Sequence, residues 1–204
     1  MNIYLMHPSR GRPEQADKAL SVWLDRMTSD AQPKHCVSTD SNDTSDYSNV
    51  PRNQLLQNDN RTMVEALNRC VEHLGDGIAI TLYDDMIPSE DWDQALVDAY
   101  EPGKLLRVNC GVPLQTVCVG CTSVFKRWGH VYYPGYLSMF ADNDYQERGE
   151  REGLFVDCAM SVTHQHPAHG TADMDATYQR QNHSAAYAYG KRLLDRRRLT
   201  AFQF

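Results

Sequence analysis

The chain has 204 residues, 41% of them apolar and 23% charged, and carries a formal net charge of −7. Such a composition belongs to an ordinary folded protein of one domain with room for a substantial core; it excludes a disordered chain and gives no global attraction for nucleic acid. No apolar run comes near the roughly 18 residues of a membrane span, and the N-terminus lacks a basic segment followed by an apolar one, so no membrane partner is expected and a cytoplasmic setting is.

Ile3 to Met6 reads as a short strand that breaks at His7-Pro8, and Ser9-Arg10-Gly11-Arg12-Pro13 follows. Ala16, Ala19, Leu20, Trp23, Leu24 and Met27 then recur at helical spacing, with Pro13 suited to the first turn. His35 to Ser38 is a second strand closing in Thr39-Asp40, which completes a βαβ unit with the usual right-handed crossover. Residues 40 to 58 are polar and read as a long loop on the ligand-binding edge. Asn58-Asp59-Asn60 offers caps for a helix with Met63, Val64, Leu67, Cys70, Val71 and Leu74 on its apolar face, and Gly75 as its stop.

Ile78 to Leu82 is an apolar run after Gly77, as in a central strand covered on both faces, and it runs on through Tyr83 into Asp84-Asp85. Ligands of open α/β sheets bind at the carboxyl ends of strands, where this doublet would sit. Adjacent carboxylates repel, so a hard divalent cation shared with a substrate diphosphate is the natural partner; the plain alternative is a solvated turn capping the next helix. Pro88 with Ser89-Glu90-Asp91 reads as that helix start, continuing through Trp92, Ala95, Leu96 and Ala99.

Leu105 to Val108 and Val112 to Cys121 are strand-like, and Thr122 to Trp128 fits a short helix. Tyr132, Tyr133, Tyr136 and Phe140 suit core packing or a pocket wall. Asp142 to Glu152 reads as a charged helix, Gly153 to Val156 as a returning strand, His164-Gln165-His166 as a loop, and Asp173 to Arg198 as a long terminal helix. The cations Lys191-Arg192 and Arg196-Arg197-Arg198 complement the dipole at that helix's end, or meet a phosphate-rich acceptor. Six scattered cysteines with one Cys118-Val119-Gly120-Cys121 pair follow no disulfide or zinc spacing, and buried thiols are expected.

The segment Ala141-Asp142-Asn143-Asp144-Tyr145-Gln146-Glu147-Arg148, with Gly153 before a strand, resembles the catalytic segment of GT-A-type, family-two-like inverting nucleotide-sugar glycosyltransferases. In that family an acid pair opens a helix, an arginine lies six residues after the second acid, and a glycine precedes the next strand; Asp142 and Arg148 match this spacing. Gly120 to Arg127 resembles the family's acceptor-side segment. Pro8-Ser9-Arg10 and Asp40 fall where the family holds base and ribose, and Asp84-Asp85 where it has an Asp-any-Asp metal motif. His164 or His166 matches a late histidine that completes the metal site. Two positions depart: Tyr83 stands in place of the first aspartate of the metal motif, and Ala141 in place of the first acid of the catalytic pair.

The resemblance, which spans about residues 2 to 175, implies a single α/β domain over 1–204, Rossmann-like, with a mixed, mostly parallel sheet flanked by helices. Residues 1–100 would form the nucleotide-binding half, 101–175 the acceptor and catalytic half, and 173–198 a C-terminal helix. It also implies a metal-dependent sugar transfer with inversion from a nucleotide sugar, a UDP-sugar being the expected donor. Asp142 would be the base and Asp144 a helper. Pro8, Ser9, Arg10, Asp40 and Asp84 would bind nucleotide, and Asp85 with His164 or His166 would hold Mn²⁺ or Mg²⁺. The acceptor stays open between a hydroxymethylated pyrimidine in viral DNA, which would make this a viral enzyme, and a small-molecule, glycan or protein hydroxyl. Two other readings stand beside this one. A sugar-phosphate nucleotidyltransferase would want a Gly-rich phosphate loop, and residues 9–13 have one glycine. A nucleotide-binding module without catalysis is suggested by Tyr83 and Ala141.

Overall fold

The structure is a computed structural model and describes residues 1–50, 52–165 and 184–202. Eight strands form one mixed sheet: β1 Ile3–Pro8, β2 Lys34–Asp40, β3 Gln54–Asn58, β4 Ile78–Thr81, β5 Met86–Pro88, β6 Leu105–Asn109, β7 Val119–Cys121 and β8 Phe155–His164. Their order is β3-β2-β1-β4-β7-β6-β8-β5. The β1–β2, β2–β3, β1–β4 and β6–β8 pairs are parallel, while β7 runs antiparallel to β4 and β6, and β5 antiparallel to β8. Among the described residues six α-helices flank it: α1 Pro13–Asp25, α2 Met63–Arg69, α3 Trp92–Asp98, α4 Thr122–Trp128, α5 Ala141–Arg151 and α6 Ser184–Leu199.

The two-residue period of the strands divides the core into two faces. Ile3, Leu5, Ile78 and Ile80 point to one side, where α1 and α3 bring Leu20, Trp23, Trp92 and Leu96. Tyr4, Met6 and Ala79 point to the other, against Val64, Leu67, Phe125, Trp128 and Tyr145. Trp23 and Trp92 meet edge to face at 5.0 Å, and each indole N–H is satisfied by a backbone carbonyl, Met86 O at 3.0 Å and Trp23 O at 2.7 Å.

Several boundaries differ from the sequence reading. The stretch 40 to 58 ends in strand β3, an edge strand with Leu56 as its one buried residue, too weakly patterned to stand out. The cap of α2 is Thr62, whose hydroxyl accepts from Glu65 N at 3.0 Å; Asn58 belongs to β3, and Asn60 Nδ2 donates to Thr39 O. Pro88 closes strand β5 instead of opening a helix. That strand is a sheet edge, where a residue without an N–H is tolerated, and α3 begins at Trp92 after Asp91 in the left-handed region at φ 56°.

Of residues 112 to 121, only Val119–Cys121 is strand. The Gln115 side chain takes the place of a ladder before it, accepting from Val108 N at 2.9 Å and donating to Val108 O at 3.0 Å. In β7 a Cβ at Gly120 would lie 2.6 Å from Leu105 Cδ2 and 3.0 Å from Leu105 Cα, so glycine is what lets β6 approach. Leu24 is exposed instead of joining the α1 face. The N-terminal part of the expected terminal helix, 173 to 183, lies outside the described residues. Five of the six cysteines are buried and Cys158 is half-buried.

Candidate active site

The parallel strands β1, β2 and β4 all end on the same edge, and their carboxyl ends open into a cavity of about 670 Å³. Pro8, Ser9, Arg10, Asp40, Asp84, Asp85, Asp142 and His164 line it, so residues up to 156 positions apart in sequence converge on one space. His166 lies outside the described residues.

The edge after β1 and β2 is a hydrogen-bonded rim. Arg10 makes an ion pair with the buried Asp40 carboxylate. Ser9 N donates to Ser38 O at 3.0 Å, and Ser9 Oγ lies 3.3 Å from the Tyr47 hydroxyl oxygen. Asp43 accepts from Gly11 N at 2.7 Å and from Tyr47 Oη at 3.1 Å. Burial opposes ionisation of Asp43, yet the hydrogen bonds from Ser45, Gly11 and Tyr47 prevail and hold its carboxyl below the usual range. Glycine is favoured at position 11, where φ is +66°.

Asp84 and Asp85 part company at the end of β4. Asp84 Oδ1 lies 2.7 Å from Nε2 of the fully buried His7, whose Nδ1 is 3.0 Å from His35 Nε2. With neutral imidazoles, a His7 that donates through Nε2 to the carboxylate accepts at Nδ1 from the His35 Nε2–H, so the carboxylate is aimed from behind. Asp85 Oδ2 lies 3.1 Å from His164 Nε2, and its carbonyl accepts from Gln165 N at 2.7 Å. Antiparallel pairing of β5 with β8, with Met86 opposite His164, brings a residue 79 positions away beside the acid.

Asp142 lies in the first turn of α5. Burial pushes its carboxyl above the usual range, opposed by its hydrogen bond from Asn143 N at 3.0 Å and by the nearby His164. Tyr83, in place of an acid, directs its hydroxyl to within 3.2 Å of Tyr132 Oη, and burial holds it protonated. Asp144 does not line the cavity. It is 2% exposed on the opposite side of α5, bridged by Arg197 Nε at 2.9 Å and by the Tyr136 hydroxyl at 3.2 Å. Arg148 also faces away: its guanidinium lies 4.2 Å from the Trp128 ring and 2.8 Å from Glu152 Oε1.

The cavity wall also includes Arg12, Arg61 and Tyr187, none of which the sequence singled out as site residues. Arg12 was visible in the Arg-Gly-Arg-Pro run after β1; Arg61 and Tyr187 had no local signal. Among the described residues no group of three or more His, Cys, Asp or Glu side chains is gathered for a metal ion. Asp85 and His164 nonetheless suit a divalent cation that takes its remaining ligands from a diphosphate and water, since one carboxylate and one imidazole are the borderline-hard set Mn²⁺ accepts. Among the described residues no helix is long and apolar enough to cross a membrane.

No protein-family profile matches the sequence. No curated protein matches it either. Solved structures do match. Residues 1–349 of S. aureus TarS superpose with a TM-score of 0.62 at 12% identity, over 94% of this chain and 71% of that one. The mannosyltransferase PcManGT from Pyrobaculum calidifontis, in complex with GDP-Man and Mn²⁺, gives 0.58 at 11% identity over 97% and 75% of the two chains. A Drosophila β-1,4-galactosyltransferase 7 variant with manganese, UDP-Gal and xylobiose gives 0.58 at 12%, over 89% and 79%. At such identities the likeness speaks for architecture, and the architecture of this chain is the GT-A fold.

Proposed function

We propose that the protein transfers a sugar from a nucleoside-diphosphate sugar to an acceptor hydroxyl, with Asp142 as the base. The observation that carries this reading is the meeting of Asp142, Asp85–His164 and Arg10–Asp40 in one cavity. Neighbours of the same fold bind UDP, UDP-GlcNAc or GDP-Man, which supports a nucleotide sugar as donor.

In this reading the rim of Pro8, Ser9, Arg10 and Asp40 orients the nucleotide, with Asp84 beside it. The carboxylate of Asp40 accepts from a donor N–H or hydroxyl of base or ribose, while Arg10 and Arg12 face its negative charge. Asp85 and His164 would hold Mn²⁺ or Mg²⁺, and such a cation supplies positive charge opposite the leaving diphosphate. Asp142 takes the proton of the acceptor hydroxyl. The oxygen then bonds to the anomeric carbon as that carbon's bond to the diphosphate breaks, and the electron pair leaves with the nucleoside diphosphate. One base and an in-line approach invert the anomeric centre. A carboxyl raised by burial is a stronger proton acceptor than an ordinary surface aspartate.

The test is release of nucleoside diphosphate from a panel of nucleotide sugars, with and without a chelator, on the wild type and on Asp85→Asn. Release from at least one donor is expected, lowered about tenfold or more by either treatment. Nucleotide binding with no turnover of any donor would instead mark a binding module. Pyrophosphate release from a nucleoside triphosphate and a sugar phosphate would mark a nucleotidyltransferase.

A further inference from the structure

The cavity is chemically lopsided. Its arginines, Arg10, Arg12 and Arg61, sit on the segments that follow β1 and precede α2. Among the described residues, the segments that border Asp142 bring none: Leu114, Thr116, residues 137 to 143 and the first turn of α6 contribute apolar groups, small polar groups and one acid. At this end Leu137 is 45% exposed and Tyr187 51% exposed. The Tyr187 ring packs edge to face on Phe140 at 4.8 Å, two residues ahead of Asp142. A lone exposed apolar side chain needs no explanation, but a contiguous set at the mouth of a cavity does.

This wall is built rigid. Phe140 adopts φ 69°, an unusual backbone for a residue with a side chain, directly before α5. Helix α6 is pressed against it: a Cβ at Gly190 would lie 2.3 Å from Met139 O and 3.1 Å from the Phe140 ring. The Tyr189 hydroxyl donates to Gly135 O at 3.1 Å, tying the start of the same loop to the helix. The loop, the aromatic pair and the start of α5 are thereby held as one surface.

We infer that this surface is the acceptor subsite and that it takes a neutral carbohydrate, the apolar C–H face of a sugar ring lying on Tyr187 with one hydroxyl turned to Asp142. The inference rests on the sugar-transfer reading above and adds the acceptor's class. A sugar ring has one apolar face and a rim of hydroxyls, which fits an aromatic wall beside a single acid. A polyanion fits poorly: among the described residues no Lys or Arg lines this end, and the protein carries a net charge of −7, whereas nucleic-acid sites neutralise phosphates with Lys and Arg. The transfer balances as before, with the glycosidic bond forming at the acceptor oxygen, the proton passing to Asp142 and the nucleoside diphosphate departing.

The experiment first finds the donor from its slow turnover by water, then adds acceptors: methyl β-glycosides and short neutral oligosaccharides in one arm, duplex and single-stranded DNA carrying hydroxymethylated pyrimidine in the other. Neutral glycosides should raise nucleoside diphosphate release and DNA should not. Tyr187→Ala should raise the glycoside KM about tenfold, Tyr187→Phe should restore it to within about twofold, and donor KM should stay within about twofold in both. Stimulation by DNA alone, no stimulation by any glycoside, or an unchanged acceptor KM in Tyr187→Ala would each overturn the inference while leaving donor turnover, and so the transferase reading, standing. Absence of donor turnover from every nucleotide sugar overturns both, since the inference rests on that turnover. Tyr187 is half exposed, so its loss is no threat to folding.

Discussion

The two acids that open α5, Asp142 and Asp144, are two residues apart and lead opposite lives. Asp142 faces the cavity with a hydrogen bond from Asn143 N and a carboxyl raised by burial. Asp144 is buried on the far side, held by Arg197 and Tyr136. Helical geometry turns positions i and i+2 about 200° apart, so one of them had to leave the cavity. The same division runs through the molecule. The rim after β1 and β2 is stitched by ion pairs and side-chain to backbone hydrogen bonds at strand ends, whereas the region behind Asp142 is aromatic packing clamped by α6 through Asp144–Arg197. The rim presents charged and hydrogen-bonding groups to the cavity, and the clamp fixes the helix that carries Asp142.

The largest effect should come from breaking the clamp. Asp144→Ala leaves the Arg197 guanidinium buried without its carboxylate, which costs about 3–5 kcal/mol for pairs of this kind. Urea denaturation should show a loss of that size, and an unchanged midpoint would deny Asp144 its structural role. Arg197 retains its contacts with the Tyr133 ring and Phe202 O, so part of the loss can be absorbed.

A second break concerns pH. His130, packed between Trp128 and Arg148, has its pKa lowered to about 4 from 6.5, first by burial and then by the Arg148 and Arg197 charges. Its neutral form donates from Nδ1 to Trp128 O at 2.8 Å and faces Arg148 Nη1 at 3.3 Å through Nε2, an arrangement a second proton would spoil. Because the folded state resists protonation, the unfolded chain binds more protons between those values. Stability is therefore full above about pH 6.5 and falls as pH drops towards 4, by at most roughly 3 kcal/mol. Melts of the wild type and His130→Gln across pH 4 to 7 should differ in slope, the variant being flatter; equal slopes would remove His130 from the acid response.

The sharpest contrast between the two acids is kinetic. Asp142→Asn keeps shape but cannot accept a proton at neutral pH, so donor binding should hold within about twofold while turnover drops about a hundredfold. Equal turnover in Asp142→Asn and wild type would take the base away from this residue. A dead but fully stable Asp144→Asn would invert the comparison.

Much of the rim was legible in the sequence because it depends on local order. An apolar run that stops at an acid marks a strand's carboxyl end, and Asp84-Asp85 follow such a run while Asp40 closes the shorter strand around Cys36-Val37. Parallel pairing then brings those ends together whatever the loops between them do. The apolar run Ile3-Tyr4-Leu5-Met6 likewise marked the first strand. What the sequence could not show lies in contacts between distant segments. Strands β3 and β5, five and three residues long at the sheet edges, have too little period to read, and β5 carries a proline that mimics a helix start. The partner of Asp144 is 53 residues away, His7 finds Asp84 at 77, and Tyr187 reaches the mouth of the cavity only because Gly190 lets α6 press on Met139. Local pattern fixes which side chains are buried and where strands end; which distant side chain meets them is decided by how helices and sheet pack, because that packing is set by the whole core at once.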